Sequence, residues 1–315
     1  MSEESPLKEP VRWWLAGIVL GMFALLTVLR ITSWGGLDQT ALFYLGLPAV
    51  VALLVVFTFR PRSAVGVSMA VLTLFLAMSG ALLGEGLVCL VIAAPLLYAV
   101  VALVAMVAER IMDSGKNSRH AFLAVPLLMA LGMEGIAGTT ILPRAGAGTD
   151  SVLVDAAPSR VAAALAAPPA YDEPAALFLR AVPFPQPVAA EGGGLGVGDT
   201  RTVTFTPRTT LRPGDEPTPR TMVLEIAESE VDTDGGRVVF DVVEDTAFAR
   251  WMDMHQAEAS WTAEDGGTRL TWTIDYDRTF EPSWYFGPVQ AYATDLAAGY
   301  LGDTFAAGAE AEVRR

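Results

Sequence analysis

His255 is the residue best suited to acid–base chemistry. It closes the stretch Trp251-Met-Asp-Met-His255, and Asp253 or Asp275 could orient it as a general base. Tyr276, Tyr285 and Tyr292 could hold the polar end of a ligand, because burial in an apolar cavity shifts the pKa of such groups usefully. The plainer account of the same residues is a hydrogen-bonded structural histidine among core aromatics. The only other histidine, His120, sits in a basic loop and reads as solvated.

No His, Cys, Asp or Glu grouping has metal-ligand spacing, and no Gly-x-Ser-x-Gly or triad-like pattern occurs, so neither a metal nor a cofactor is expected. The lone cysteine, Cys89, lies in an apolar run and reads as a small buried hydrophobe. Gly192, Gly193, Gly194, Gly196 and Gly198 invite comparison with a phosphate loop. No Lys-Ser/Thr follows them and the next stretch is strand-like, so a strand turn or bulge is the better reading.

Two halves of unlike composition carry these residues. The chain has 315 residues, is 52% hydrophobic and has a net charge of −14; its mean hydropathy is +0.42. Apolar runs dominate before Arg144. From Ala145 onward there are 27 Asp and Glu against 12 Arg and no Lys. So acidic a domain repels phosphate backbones, which argues against nucleic acid and against electrostatic docking on anionic lipid.

After a polar tail at 1–12, the region 13–143 reads as four to five transmembrane helices. The spans are Trp13–Leu29, Gln39–Phe59, Ser63–Gly84 and Gly86–Ala108, with Ala121–Pro143 as a fifth that is interrupted by Pro126 and Glu134. Glu134, as an ionisable residue inside a span, is a functional candidate, with helix pairing or interfacial anchoring as the alternative. Lys8, Arg12, Arg60, Arg62, Arg110, Lys116 and Arg119 fall on one side and Arg30 on the other. That asymmetry puts the N-terminus of the multi-pass chain in the cytoplasm. The C-terminal domain is then extracytoplasmic if 121–143 spans, and cytoplasmic otherwise.

The second half reads as a linker at 144–150, a domain at 151–307 and a tail at 308–315. Ser151–Asp155 is a short strand, followed by helices at Pro158–Ala167 and Tyr171–Ala181 and a rigid passage through Pro183, Pro185 and Pro187. Alternating strands follow at Asp199–Thr206, Met222–Ser229, Arg237–Val243 and Gln256–Glu264, joined in part by Asp-Gly turns. Leu270, Trp272, Ile274 and Tyr276 share one face of a last strand from Gly267. A long helix from Ser283 to Phe305 carries Val289, Tyr292, Leu296 and Tyr300 as a stripe, with Gly287-Pro288 as a break. Asp245–His255 is too rich in large apolar groups for a simple turn and is expected as a lid, with Trp251, Met252, Met254 and His255 against the helix stripe, or else as a plug of the core or a contact with the membrane surface.

This order resembles the START-like helix-grip superfamily, also called SRPBCC. Val152-Leu-Val-Asp-Ala-Ala-Pro-Ser-Arg-Val161 is similar to its opening strand, Ala-Pro and helix signature. Thr268–Trp272 and Ser283–Phe305 resemble its late strand and closing helix, and the likeness covers most of 150–307. Pro183–Pro185 and Trp251–His255 are similar to a membrane-linked bacterial subgroup described as polyketide cyclase/dehydrase-like. The resemblance implies an α+β domain, a curved antiparallel sheet around a long C-terminal helix, fused to an α-helical transmembrane bundle. It implies a hydrophobic cavity but no single activity.

The expected partners are the lipid bilayer and a hydrophobic small-molecule ligand. Three functions fit: a membrane-anchored module binding a lipid or isoprenoid-like ligand, a cyclase, aromatase or hydratase acting on an apolar carbonyl compound, and a structural or assembly protein with a filled core. A ligand pocket should exceed about 300 Å³.

Overall fold

The structure is a computed structural model that describes residues 64–82, 87–113, 140–182, 184–208, 217–249 and 251–311. The expected first two spans, most of the fifth with Glu134, His120 and Pro183 lie outside these residues. The chain divides into two compact units, Met1–Ala130 with Arg208–Pro217, and Leu131–Pro207 with Thr218–Arg315.

In the first unit, α1 (Ala64–Leu82) and α2 (Leu87–Asp113) match the expected third and fourth apolar runs, and α2 carries Cys89. The two helices are joined by a hydrogen bond of 2.7 Å between the Thr73 and Tyr98 hydroxyls. Thr73 also bonds the Met69 carbonyl one turn back, so its hydroxyl stays satisfied on an apolar face. Side chains are described only within 65–77 and 91–106 of these helices. Among the described residues no helix is long and apolar enough to cross a membrane.

The second unit runs β1 (Ala145–Val154), α3 (Pro158–Ala166), α4 (Leu177–Ala181), β2 (Pro187–Gly192), β3 (Thr200–Arg208), β4 (Thr218–Val231), β5 (Gly235–Asp245), β6 (Met252–Glu264), β7 (Gly267–Arg278) and α5 (Ser283–Ala311). The strands form one seven-stranded sheet in the order β1-β7-β6-β5-β4-β3-β2. Strands two to seven follow one another as a meander, and β1 returns to close the far side of β7.

Strict alternation builds β7. Thr268, Leu270, Trp272, Ile274, Tyr276 and Arg278 are all buried, while the residues between them are half-buried. In α3, Pro158 pre-sets the first turn, and Val161 and Leu165, four residues apart, are fully buried. Each such side chain contributes about 1.5–3 kcal/mol relative to exposure. Phe240, Trp272 and Phe305 stack in series, with ring centroids 5.9 and 5.3 Å apart, and tie the sheet to α5.

Several expected boundaries change. Residues 145–150, expected as a linker, are the first half of β1, paired with β7 from Ala145↔Asp277 onward. Their Gly/Ala content serves close approach. A Cβ on Gly148 would lie 2.4 Å from the backbone of Thr294 in α5, and one on Gly146 would lie 2.9 Å from the Tyr276 ring. Pro187–Gly192, which joins the expected rigid proline passage to the glycine run, is the edge strand β2, where proline's missing N–H faces no partner strand.

Only the end of the expected second helix is helical, as α4. The glycine run is the β2–β3 turn, with Gly194 at φ +97° and Gly198 at φ +88°, backbone that side chains rarely adopt. The closing helix continues through Pro288 without a break and extends to Ala311, past the expected end at Phe305.

Candidate functional site

Between the concave face of the sheet and α5 lies a half-open cavity of about 170 Å³. The sheet supplies Val203 and Phe205 from β3, Met222 and Leu224 from β4, Phe240 and Val242 from β5, Met254 and Ala257 from β6, and Trp272 and Ile274 from β7. The helix supplies Ala293, Thr294, Ala297, Tyr300, Leu301 and Phe305, and the chain between α3 and β2 covers the remaining side with Tyr171, Leu179 and Phe184. The volume falls short of the expected 300 Å³ because large aromatic rings fill much of the space the curved sheet leaves.

The corner between β5 and β6 forms one wall. Asp245 accepts hydrogen bonds from the Ala247 and Phe248 amides at 2.7 and 2.8 Å, which turns the chain. Phe248 meets Phe205 and Trp251 edge-on at 5.3 and 6.0 Å. The Trp251 carbonyl accepts from Gln290 and from the Thr279 hydroxyl, at 2.6 and 2.7 Å, fixing the corner to α5 and to the end of the sheet.

Of the residues singled out from sequence, Trp251, Met252, Met254 and Trp272 line this cavity; His255, Tyr276, Tyr285, Val289, Tyr292 and Leu296 do not. His255 lies at a register shift between Met254 and Gln256, where β6 carries one residue more than β7. The bulge sends its side chain outward. There Nε2 meets Asp277 at 3.2 Å, with both side chains about half exposed, at 49% and 46%. Asp253 and Asp275 are also outside the cavity. An exposed pair of this kind contributes about 0–1 kcal/mol.

Tyr276 is buried, but it packs on β1 over Gly146. Tyr285 packs edge-on against Trp284 and Phe286. Tyr292 is 55% exposed and meets Phe178 edge-on. The helix face that turns inward is made of small residues, Ala293, Ala297, Ala298 and Gly302, beside Leu301 and Phe305. Small side chains let the helix settle close to the sheet, so Val289, Tyr292 and Leu296 of the expected stripe fall to its flank, and only Tyr300 of that stripe lines the cavity.

One polar group of the cavity has no place among the sequence-based expectations. Arg201, 5% exposed, points inward from β3. Its Nη2 donates to the Leu165 carbonyl at 2.6 Å, at the end of α3. The guanidinium carbon lies 5.8 Å from the centroids of both Phe240 and Phe305. Such contacts offset part of the cost of burying the charge, by about 0.5–2 kcal/mol each. Its Nε has no hydrogen-bond partner among the described residues. Burial pulls the guanidinium pKa down from its ordinary value, with Tyr171 opposing. The signal was present: Arg201, Val203 and Phe205 are in phase on a strand of period two.

Tyr171 stacks on Tyr300 at 6.5 Å, and the Tyr300 hydroxyl donates to the Asp172 carbonyl at 2.7 Å. Burial pushes the Tyr171 phenol from 10.0 up to about 12, with Arg201 opposing and Tyr300 adding to the rise. The folded state therefore holds this proton longer than the unfolded chain. Its contribution to stability is complete below pH 10 and is lost as pH rises from 10 through about 12. Burial also raises the Tyr276 and Tyr300 phenols, so ultraviolet titration should show several late-ionising tyrosines, of which Tyr171→Phe removes one; a titration unchanged by that substitution contradicts the assignment.

Among the described residues no three His, Cys, Asp or Glu side chains gather as a metal site. No family model and no curated protein matches the chain. Among solved structures, the chain is similar to Ara h 8.0201 at 11% identity, covering 53% of this chain and 99% of that one, TM-score 0.29. Ginseng major latex-like protein 151 from Panax ginseng is 15% identical, over 50% of this chain and 99% of its own, TM-score 0.26. TTHA0849 from Thermus thermophilus is 15% identical, over 53% and 99%, TM-score 0.32. At these TM-scores the fold stands on the strand order and the enclosed helix: the second unit is a curved antiparallel sheet gripping a C-terminal helix.

Proposed function

We propose that the second unit is a START-like, SRPBCC-type binding module that takes a compact apolar molecule between sheet and helix. The observation that carries this reading is the almost wholly apolar lining of the space between sheet and helix, which at about 170 Å³ is smaller than expected and calls for a small ligand. A dry apolar cavity of about 150 Å³ accepts benzene. The space inside thus holds one ring or one isoprene unit. The enzyme reading depended on His255, which lies outside the cavity, and among the described residues the lining includes no histidine, cysteine or carboxylate.

The first half anchors this module in a bilayer, as a multi-pass inner-membrane segment with a cytoplasmic N-terminus. The support is its uncharged runs and its Lys/Arg asymmetry. A reporter fused after Arg315, active on one side of the membrane only, decides where the module sits.

Filling the cavity tests the binding reading. Ala297→Leu places three further carbons in that space. In the full chain, kept in detergent, it should weaken toluene binding at least ten-fold by calorimetry. Thermal stability should hold or rise, as cavity filling commonly adds about 0.5–2 kcal/mol. Toluene binding equal to the wild type would place the ligand elsewhere.

A further inference from the structure

We infer that the ligand is an anion, a compact apolar carboxylate whose charge meets Arg201 inside the cavity. This rests on the binding reading above and adds the class of ligand. Arg201 is a full positive charge, 5% exposed, at the wall of a space otherwise lined by hydrocarbon and aromatic rings. Among the described residues no carboxylate pairs with it, and its one protein acceptor is the Leu165 carbonyl. Nε has no acceptor, although a guanidinium brings five N–H donors in a planar fork. A buried cation in this state is costly, and a carboxylate is the group that matches its fork in both charge and geometry.

The neighbouring groups point the same way. The faces of Phe240 and Phe305 flank the guanidinium and favour positive charge, but they supply no hydrogen-bond acceptor. Trp272, which stacks on both of those rings, also has an indole N–H without a partner. Tyr171 keeps its proton to about pH 12, so its hydroxyl remains a donor at neutral pH. The cavity wall therefore sets a cation and the Tyr171 phenol beside hydrocarbon.

Toluene and benzoate, matched in ring and differing in the charged group, separate this inference from the binding reading. With the full chain in detergent at pH 7, benzoate should bind at least ten-fold more tightly than toluene. Arg201→Met should remove that preference, and Arg201→Lys, which keeps the charge, should retain part of it. Equal affinities for benzoate and toluene in the wild type would overturn the inference and leave the binding reading standing. So would a benzoate preference that survives Arg201→Met. Binding of neither compound to the wild type would overturn both. The wild-type comparison needs no variant to fold.

Discussion

Gly148→Val should unfold the second unit or leave it barely stable. The first side-chain atom would fall 2.4 Å from the Thr294 carbonyl carbon and 2.6 Å from its Cβ. Contacts that short require the helix backbone itself to move, and α5 is held by Ala298, Phe305 and Ala309 in the main core. Overpacking of this kind costs about 3 kcal/mol or more, a large part of the roughly 5–15 kcal/mol that holds a domain together. Thr294→Ala should fail to rescue it, because the nearest atom is main chain. Chemical denaturation with circular dichroism provides the measurement. A Gly148→Val protein that melts with the wild type would mean that α5 does not lie against β1.

Arg278→Met should cost about 3–5 kcal/mol, as expected when one partner of a buried ion pair is removed. Arg278 is 3% exposed at the end of β7. One nitrogen, Nη1, donates to the Phe280 carbonyl at 2.6 Å and to the Glu281 carboxylate. The other, Nη2, donates to the Thr140 hydroxyl at 3.0 Å and the Leu142 carbonyl at 3.1 Å. Leu142 in turn donates its amide to the Ser283 hydroxyl at 3.1 Å. A single side chain thus binds the segment before β1, the loop after β7 and the start of α5. Methionine fills similar volume but leaves Glu281 buried without its main cation. The double variant Arg278→Met, Glu281→Leu should recover part of the loss, since it removes both charges. Equal instability of the single and double variants would show that the carbonyl bonds, not the ion pair, carry the effect.

Much of the sheet is legible because burial repeats every second residue. Leu270, Trp272, Ile274 and Tyr276 announce β7, and the Asp-Gly turns announce its neighbours. What stays hidden has physical reasons. The Gly/Ala content that makes Ala145–Asp150 look like a linker is what lets α5 lie on it. The helix stripe read from sequence follows the largest side chains, whereas the face against the sheet is chosen by how close the backbones must come, which favours Ala293, Ala297 and Gly302. The bulge at His255 reverses the facing of one residue, and no pattern of side-chain types shows a bulge in a strand. Arg201 does not stand out because a charge on a strand is ordinarily solvated, although its phase with Val203 and Phe205 places it inside.

The pairing of β1 with β7 also governs when the domain can form. Val152 lies opposite Leu270, and Thr149 opposite Thr273, so the first strand waits for partners more than a hundred residues later in the chain. Contacts so distant in sequence must overcome the entropy of closing a long loop before they bring any gain, and they slow folding. During synthesis β1 emerges early with both the edge it gives to β7 and the face it gives to α5 still bare. Any shortened chain that stops before Gly267 leaves that strand open to the edges of other chains.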